Sequence, residues 1–166
     1  MGFDTPATAA LWFLVFASPI CLWVAWSDLR AMKIPNRAVI ALVCVYLAVG
    51  IAVLPLPDYL WRLSHLAILL LAGIAANAAG LMGAGDAKFI AAAAPFVGLG
   101  DAATVMLLLA AVLLAAFVTH RLARISPLRR LAPDWASWSA GRRFPLGLAL
   151  GPTLALYLGL AAALGT

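Results

Sequence analysis

Six apolar runs follow one another along the chain, at roughly 8 to 27, 37 to 55, 62 to 82, 87 to 99, 102 to 120 and 145 to 164, and leave little sequence outside them. A helix needs about 20 apolar residues to cross about 30 Å of hydrocarbon. Most of the runs meet that length, so an all-α, polytopic membrane fold of about six spans accounts for nearly all of the chain. Composition excludes the alternative: 66% of residues are hydrophobic and 10% charged, whereas a soluble domain carries about 25% charged residues. The fourth run is short, follows a glycine-rich stretch and contains Pro95, which predicts a short tilted helix or one buried among its neighbours. No room remains for a separate soluble domain, and residues 1–166 are expected to form one membrane-embedded unit.

The charges are unevenly placed. Arg30, Lys33 and Arg37 fall in the first loop, Lys88 in the third, and Arg121, Arg124, Arg129, Arg130, Arg142 and Arg143 in the fifth, which is 10 of the 11 basic residues. Only Arg62 lies elsewhere. The positive-inside rule therefore predicts odd loops in the cytoplasm and both termini outside. This explains the net charge of +5 better than nucleic-acid binding does, and no nucleic-acid partner is expected. The longest loop, about 121 to 144, mixes its arginines with Pro127, Pro133, Trp135 and Trp138, which suits a segment anchored at an anionic membrane surface. Before the first run stands Asp4 and no basic residue, so that run is expected to be a permanent span and not a cleaved signal. Cys21 and Cys44 sit apart in apolar runs without a CxxC spacing, which indicates neither a disulfide nor a zinc site.

Of the six acids, Asp4, Asp58, Asp101 and Asp134 fall in tails or loops, where a solvated carboxylate is the expectation. Asp28 and Asp86 differ. Asp28 ends the first run in Trp26-Ser27-Asp28-Leu29-Arg30, and Asp86 precedes the fourth in Gly83-Ala84-Gly85-Asp86-Ala87-Lys88. The topology puts both at one membrane face, where ionisable groups are costly and tend to mark function. Two neighbouring carboxylates do not both ionise cheaply, so one keeps a proton while the other can accept one from water. That pairing suits peptide hydrolysis: the ionised acid is general base to water and the protonated one polarises the scissile carbonyl, with no metal or other cofactor needed. The bland alternative is two juxtamembrane charges neutralised by Arg30 and Lys88. Helix dipoles would favour the proton on Asp28 and the charge on Asp86. Gly80, Gly83 and Gly85 would let a substrate backbone approach, and Ile34-Pro35-Asn36 ends the first loop and opens the second helix.

Ser27-Asp28-Leu29-Arg30 with Ile34-Pro35-Asn36, then Gly83-Ala84-Gly85-Asp86-Ala87-Lys88, resemble the two signature segments of the type IV prepilin peptidases, the bacterial branch of the GxGD aspartyl proteases. Phe144-Pro145-Leu146-Gly147 resembles that family's Pro-x-Gly opening of its final helix. The resemblance implies Asp28 and Asp86 as the catalytic dyad, with Gly83, Gly85, Lys88, Pro35 and Asn36 shaping the site. It implies prepilin or pseudopilin precursors as substrates, cut at the cytoplasmic face of the bacterial inner membrane. The cytoplasmic segment with paired CxxC motifs that larger members carry does not occur in this sequence. The chain is thus similar to the short, peptidase-only members of tight-adherence (Flp) pilus systems, and no methyltransferase activity is expected.

His65 and His120 fall on opposite faces, so they are expected as packing or interfacial residues and not as ligands of one metal. Asn77 is expected to hydrogen-bond between helices, and Gly147 with Gly151 to pack helices within the monomer. Trp12, Trp23, Trp26 and Trp61 mark an aromatic belt. The rival function is a small proton-coupled transporter or a non-catalytic pilus-assembly scaffold. A transporter would place its acids nearer the midplane and break its helices in matching halves.

Overall fold

The computed structural model describes residues 2–141 and 143–165; Arg142, one of the arginines counted above, lies outside them. Helices α1 (Ala7–Ala31), α2 (Asn36–Val53), α3 (Leu56–Ala78), α4 (Ala84–Ala93), α5 (Ala102–Ile125) and α6 (Gly147–Leu164) make an all-helical fold, with no strand among the described residues. All but α4 are long and apolar enough to cross a membrane.

The fourth crossing follows the buried alternative. α4 spans only ten residues, about 15 Å of rise, and gives way to a 3-10 turn at Ala94–Phe96 and another at Leu99–Asp101. Pro95 has no N–H for the α-helical ladder, which breaks the helix there. Irregular backbone survives at membrane depth only where protein surrounds it, and Phe89, Ala91, Ala92, Pro95 and Phe96 are all buried. The Phe96 ring packs edge-on against Phe13 of α1 and Tyr46 of α2, at 4.9 and 5.5 Å between centroids. The segment still passes from one end of the bundle to the other. Gly85 meets Ile34 just before α2, while Asp101 is bonded to Thr5 just before α1.

α1 and α6 pack closely because α6 presents glycine where they meet. A β-carbon on Gly151 would run into the Cys21 carbonyl oxygen, and one on Gly147 would lie 3.2 Å from Val24 Cγ1. The GxxxG spacing therefore works within the monomer, as expected. α5 is the opposite case: of its residues only His120 is buried, so most of its apolar surface is left to lipid.

The six helices gather the loops 32–35 and 79–83 and residues 126–141 and 143–146 at one end, and with them every described basic residue except Arg62. The other end corrects one expectation. Asp101 is not a solvated loop acid but is buried at 4% exposure, as is Arg62. Asp101 accepts from the Asp4 and Thr5 N–H groups at 2.9 and 3.1 Å and from the Tyr157 hydroxyl at 2.6 Å. Arg62 donates to Thr5 Oγ1 at 2.8 Å and to the Asp4 carbonyl at 3.1 Å. Asp4 is itself exposed, yet its carboxylate accepts from the Gly100 N–H at 3.2 Å. Burying an acid costs several kcal/mol unless donors surround it; here they do, and the network pins the start of α1 to the chain entering α5 and to the far half of α6. Asp58 and Asp134 are exposed, as expected.

Candidate active site

Asp28 stands one turn from the end of α1. The helix closes at Met32, whose left-handed backbone (φ 52°) directs its N–H to the Asp28 carbonyl at 2.9 Å. Pro35 then caps α2 from an extended conformation and Asn36 is the first helical residue, a shift of one place from a proline in the first turn. The Ser27 hydroxyl donates to the Lys33 carbonyl at 2.9 Å, folding the connection back over α1. The connection thereby delivers Ile34 to α4, where a β-carbon on Gly85 would come within 3.3 Å of Ile34 Cβ.

Asp86 is the third residue of α4, after the N-cap Gly83. In that position a carboxylate can reach back to the N-cap N–H, one half of a capping box. It does so here: a β-carbon on Gly83 would lie only 2.7 Å from Asp86 Oδ2, and the Gly83 N–H draws the Asp86 pKa down. Glycine at 83 leaves room for the carboxylate and glycine at 85 leaves room for the first loop. This is a steric account of the Gly-x-Gly-Asp spacing.

The Asp28 side chain is buried at 5% exposure. Its Oδ2 accepts a 2.7 Å hydrogen bond from the Gly147 N–H. Gly147 is the first residue of α6, so this N–H has no intrahelical acceptor and sits at the positive end of a helix dipole. A β-carbon on Gly147 would approach Asp28 Cβ and Oδ2 to 3.0 Å. The dipole of α1 is therefore not the only one acting on Asp28, because α6 opposes it. Asp86 is pushed up to about 6, first by burial and then by the charge of Asp28, with Gly83 pulling the other way. Each carboxylate thus has one backbone donor, and Asp86 feels Asp28.

Lys88 does not neutralise this pair in the manner of a juxtamembrane counter-charge: its Nζ donates to Asn36 Oδ1 at 3.3 Å, linking α4 to the start of α2. Arg30 is exposed. The candidate residues Asp28, Pro35, Asn36, Gly83, Gly85, Asp86 and Lys88 therefore converge on one end of the bundle. Sequence reasoning missed the role of Gly147, which it took for a packing glycine. The signal was present in Phe144-Pro145-Leu146-Gly147, since a proline there marks a helix start, where the first N–H has no intrahelical acceptor. Asn77 is a further correction. It caps its own connection, donating to the Met82 carbonyl at 2.9 Å, because its end of α3 is exposed and the nearest free carbonyl is local. His120 is buried and stacked on Trp138 at 5.1 Å, a packing residue as expected, while His65 lies half-buried against Trp61. Among the described residues no group of three His, Cys, Asp or Glu side chains is placed to hold a metal ion.

An all-helical, multi-pass membrane protein carrying two interacting carboxylates at one end is the class that fold and site define. Residues 11–120, about two thirds of the chain, match the model of the type IV leader peptidase family, and the chain belongs to that family. The matched region holds both Asp28 and Asp86. No curated protein and no solved structure matches the chain.

Proposed function

We propose that the chain is an aspartyl endopeptidase that removes the leader peptides of type IV or Flp-type prepilins and pseudopilins, with Asp28 and Asp86 as reciprocal acid and base. The observation that carries this reading is the pair itself, with Asp86 raised by burial and then by the charge of Asp28 and Asp28 held by the α6 N-terminus. Near the Asp86 midpoint of about 6 such a pair holds one proton between two acids. The ionised carboxylate takes a proton from water as the water oxygen bonds to the scissile carbonyl carbon, and the protonated partner gives its proton to the carbonyl oxygen. Collapse of the resulting diol breaks the C–N bond, the leaving nitrogen taking a proton from the acid that was the base while a diol hydroxyl returns its proton to the other carboxylate as the C=O bond re-forms. Gly83 and Gly85 leave the backbone beside Asp86 open to an extended substrate strand, and Pro35, Asn36 and Lys88 fix the second helix against α4.

The basic end of the bundle is the cytoplasmic one by the positive-inside rule, which puts the dyad at the cytoplasmic face of the inner membrane, where a leader would be presented. The whole chain acts as one peptidase domain, without a methyltransferase function. The test is cleavage of a candidate prepilin by the purified protein and by its Asp28→Asn and Asp86→Asn variants. The reading predicts cleavage by the wild type alone; processing that survives either substitution rejects the dyad, and proton-coupled flux without cleavage favours a transporter.

A further inference from the structure

The loop between α5 and α6 contains an amphiphilic element that the proposed chemistry does not use. Residues Pro127–Leu131 form a 3-10 turn, capped by Ser126 Oγ accepting from the Leu128 N–H at 3.2 Å. Leu128 and Leu131 on the turn, and Ile125 just before it, are 59%, 82% and 83% exposed. Ser126, Pro127, Leu128 and Leu131 line a shallow groove of about 400 Å³. Between the two leucines stand Arg129 and Arg130, both exposed. Such an alternation presents an apolar surface and two cations on one short turn.

The element is held firmly. Trp138 Nε1 donates to the Ala132 carbonyl at 2.7 Å, closing the chain behind the turn. The Trp138 ring stacks on His120 and on Trp135, at 5.1 and 5.5 Å, and Trp135 meets Trp26 of α1 edge-on at 5.2 Å. Arg121 and Arg124 each donate to the Gly141 carbonyl at 3.3 Å. The turn also sits directly at the end of α5, the span with only His120 buried. The exposed flank of α5 thus runs on to the groove and to Arg129 and Arg130.

We propose that this turn is a binding site for an anionic phospholipid, with the phosphate between Arg129 and Arg130 and an acyl chain over Ile125, Leu128 and Leu131. Charge complementarity selects the occupant. The segment from 121 to 144 holds six arginines against the single acid Asp134, and a molecule with a negative head and an apolar tail satisfies both halves of the turn. A soluble anion would leave the groove exposed, and a neutral lipid would leave the arginines without a counter-charge. Each basic side chain near an anionic surface favours binding by about fivefold, so the two together give a preference of about 25-fold.

The test titrates the full chain with phosphatidylglycerol and, separately, phosphatidylcholine, reading bound lipid by native mass spectrometry and its position by hydrogen exchange. The wild type is expected to prefer phosphatidylglycerol by about 25-fold, with exchange slowed in residues 126–132. R129Q/R130Q should abolish the preference and R129K/R130K should retain most of it. L128S/L131S should weaken binding of the whole lipid while leaving its charge preference. The proposal is overturned by equal binding of the two lipids to the wild type or by protection elsewhere in the chain. It is equally overturned if the glutamine variant keeps its preference, or if glycerophosphoglycerol competes as well as the lipid that carries it.

Discussion

The two ends of the bundle each bury an acid, and they treat it in opposite ways. At one end Asp101 has three donors, and Thr5, Arg62 and Tyr157 complete a network in which each polar side chain meets another. At the other end Asp28 and Asp86 have one backbone donor each, and the charge of Asp28 acts on Asp86. A satisfied buried network adds rigidity, and an under-satisfied pair of like groups is kept at an energetic cost. The contrast teaches that burial of a carboxylate does not by itself mark a reactive site. What separates the proposed dyad from the structural acid is how many donors surround it.

Substitutions at the two ends should therefore separate activity from stability. The largest effect is expected from Asp28→Asn or Asp86→Asn, which should lower the rate of leader cleavage by about a thousandfold or more, the range for loss of a positioned acid or base. Thermal stability should be unchanged or increased, because a costly charge has been removed. Asp101→Ala should do the reverse. Three donors lose their acceptor, which destabilises by about 3 kcal/mol or more, read as a lower denaturation midpoint, while the folded fraction cleaves at the wild-type rate. A rate loss as deep as that of Asp86→Asn would erase the distinction between the ends.

Smaller effects sharpen the comparison. Gly83→Ala places a β-carbon 2.7 Å from Asp86 Oδ2. The atom that must yield is the end of a side chain, so the fold should persist and the carboxylate should move, with kcat lowered by about ten- to a hundredfold. Gly151→Ala meets backbone instead, and separating α1 from α6 should cost about 1–3 kcal/mol. The smallest effect is on pH dependence. Asp86 titrates at about 6 in the folded chain against an ordinary 3.8, so the folded state binds more protons between those values and stability should fall as pH rises from 4 to 6. A denaturation midpoint that rises across that window would contradict the sign.

Much of the proposed active end was legible in the sequence, because its parts are local. The Gly83-Ala84-Gly85-Asp86 spacing is a helix start with an acid at the third position, and Ser27 through Asn36 is one helix end, one loop and one helix start. The topology that unites them follows from apolar runs and from the placement of basic residues. The quiet end was not legible. Asp101 bonds to residues 96 and 97 positions away, and nothing near it in sequence tells a buried loop acid from a solvated one. Arg62 resembles any charge near the start of a span until Thr5 is brought to it. Gly147 carried two roles in one residue, close packing and a free N–H, and only the first follows from spacing. The fourth crossing was legible in length and in Pro95, but its central position depended on which neighbours surrounded it.

The central claim is that Asp28 and Asp86 titrate as a pair. Its most direct measurement is the carboxyl infrared band of Asp86, followed across pH in the wild type and in Asp28→Asn. The account predicts a midpoint near 6 in the wild type, moving downward when the Asp28 charge is removed and staying above 3.8 because burial remains. A midpoint near 3.8 in the wild type, or one that Asp28→Asn leaves in place, would show that the two acids do not act on one another.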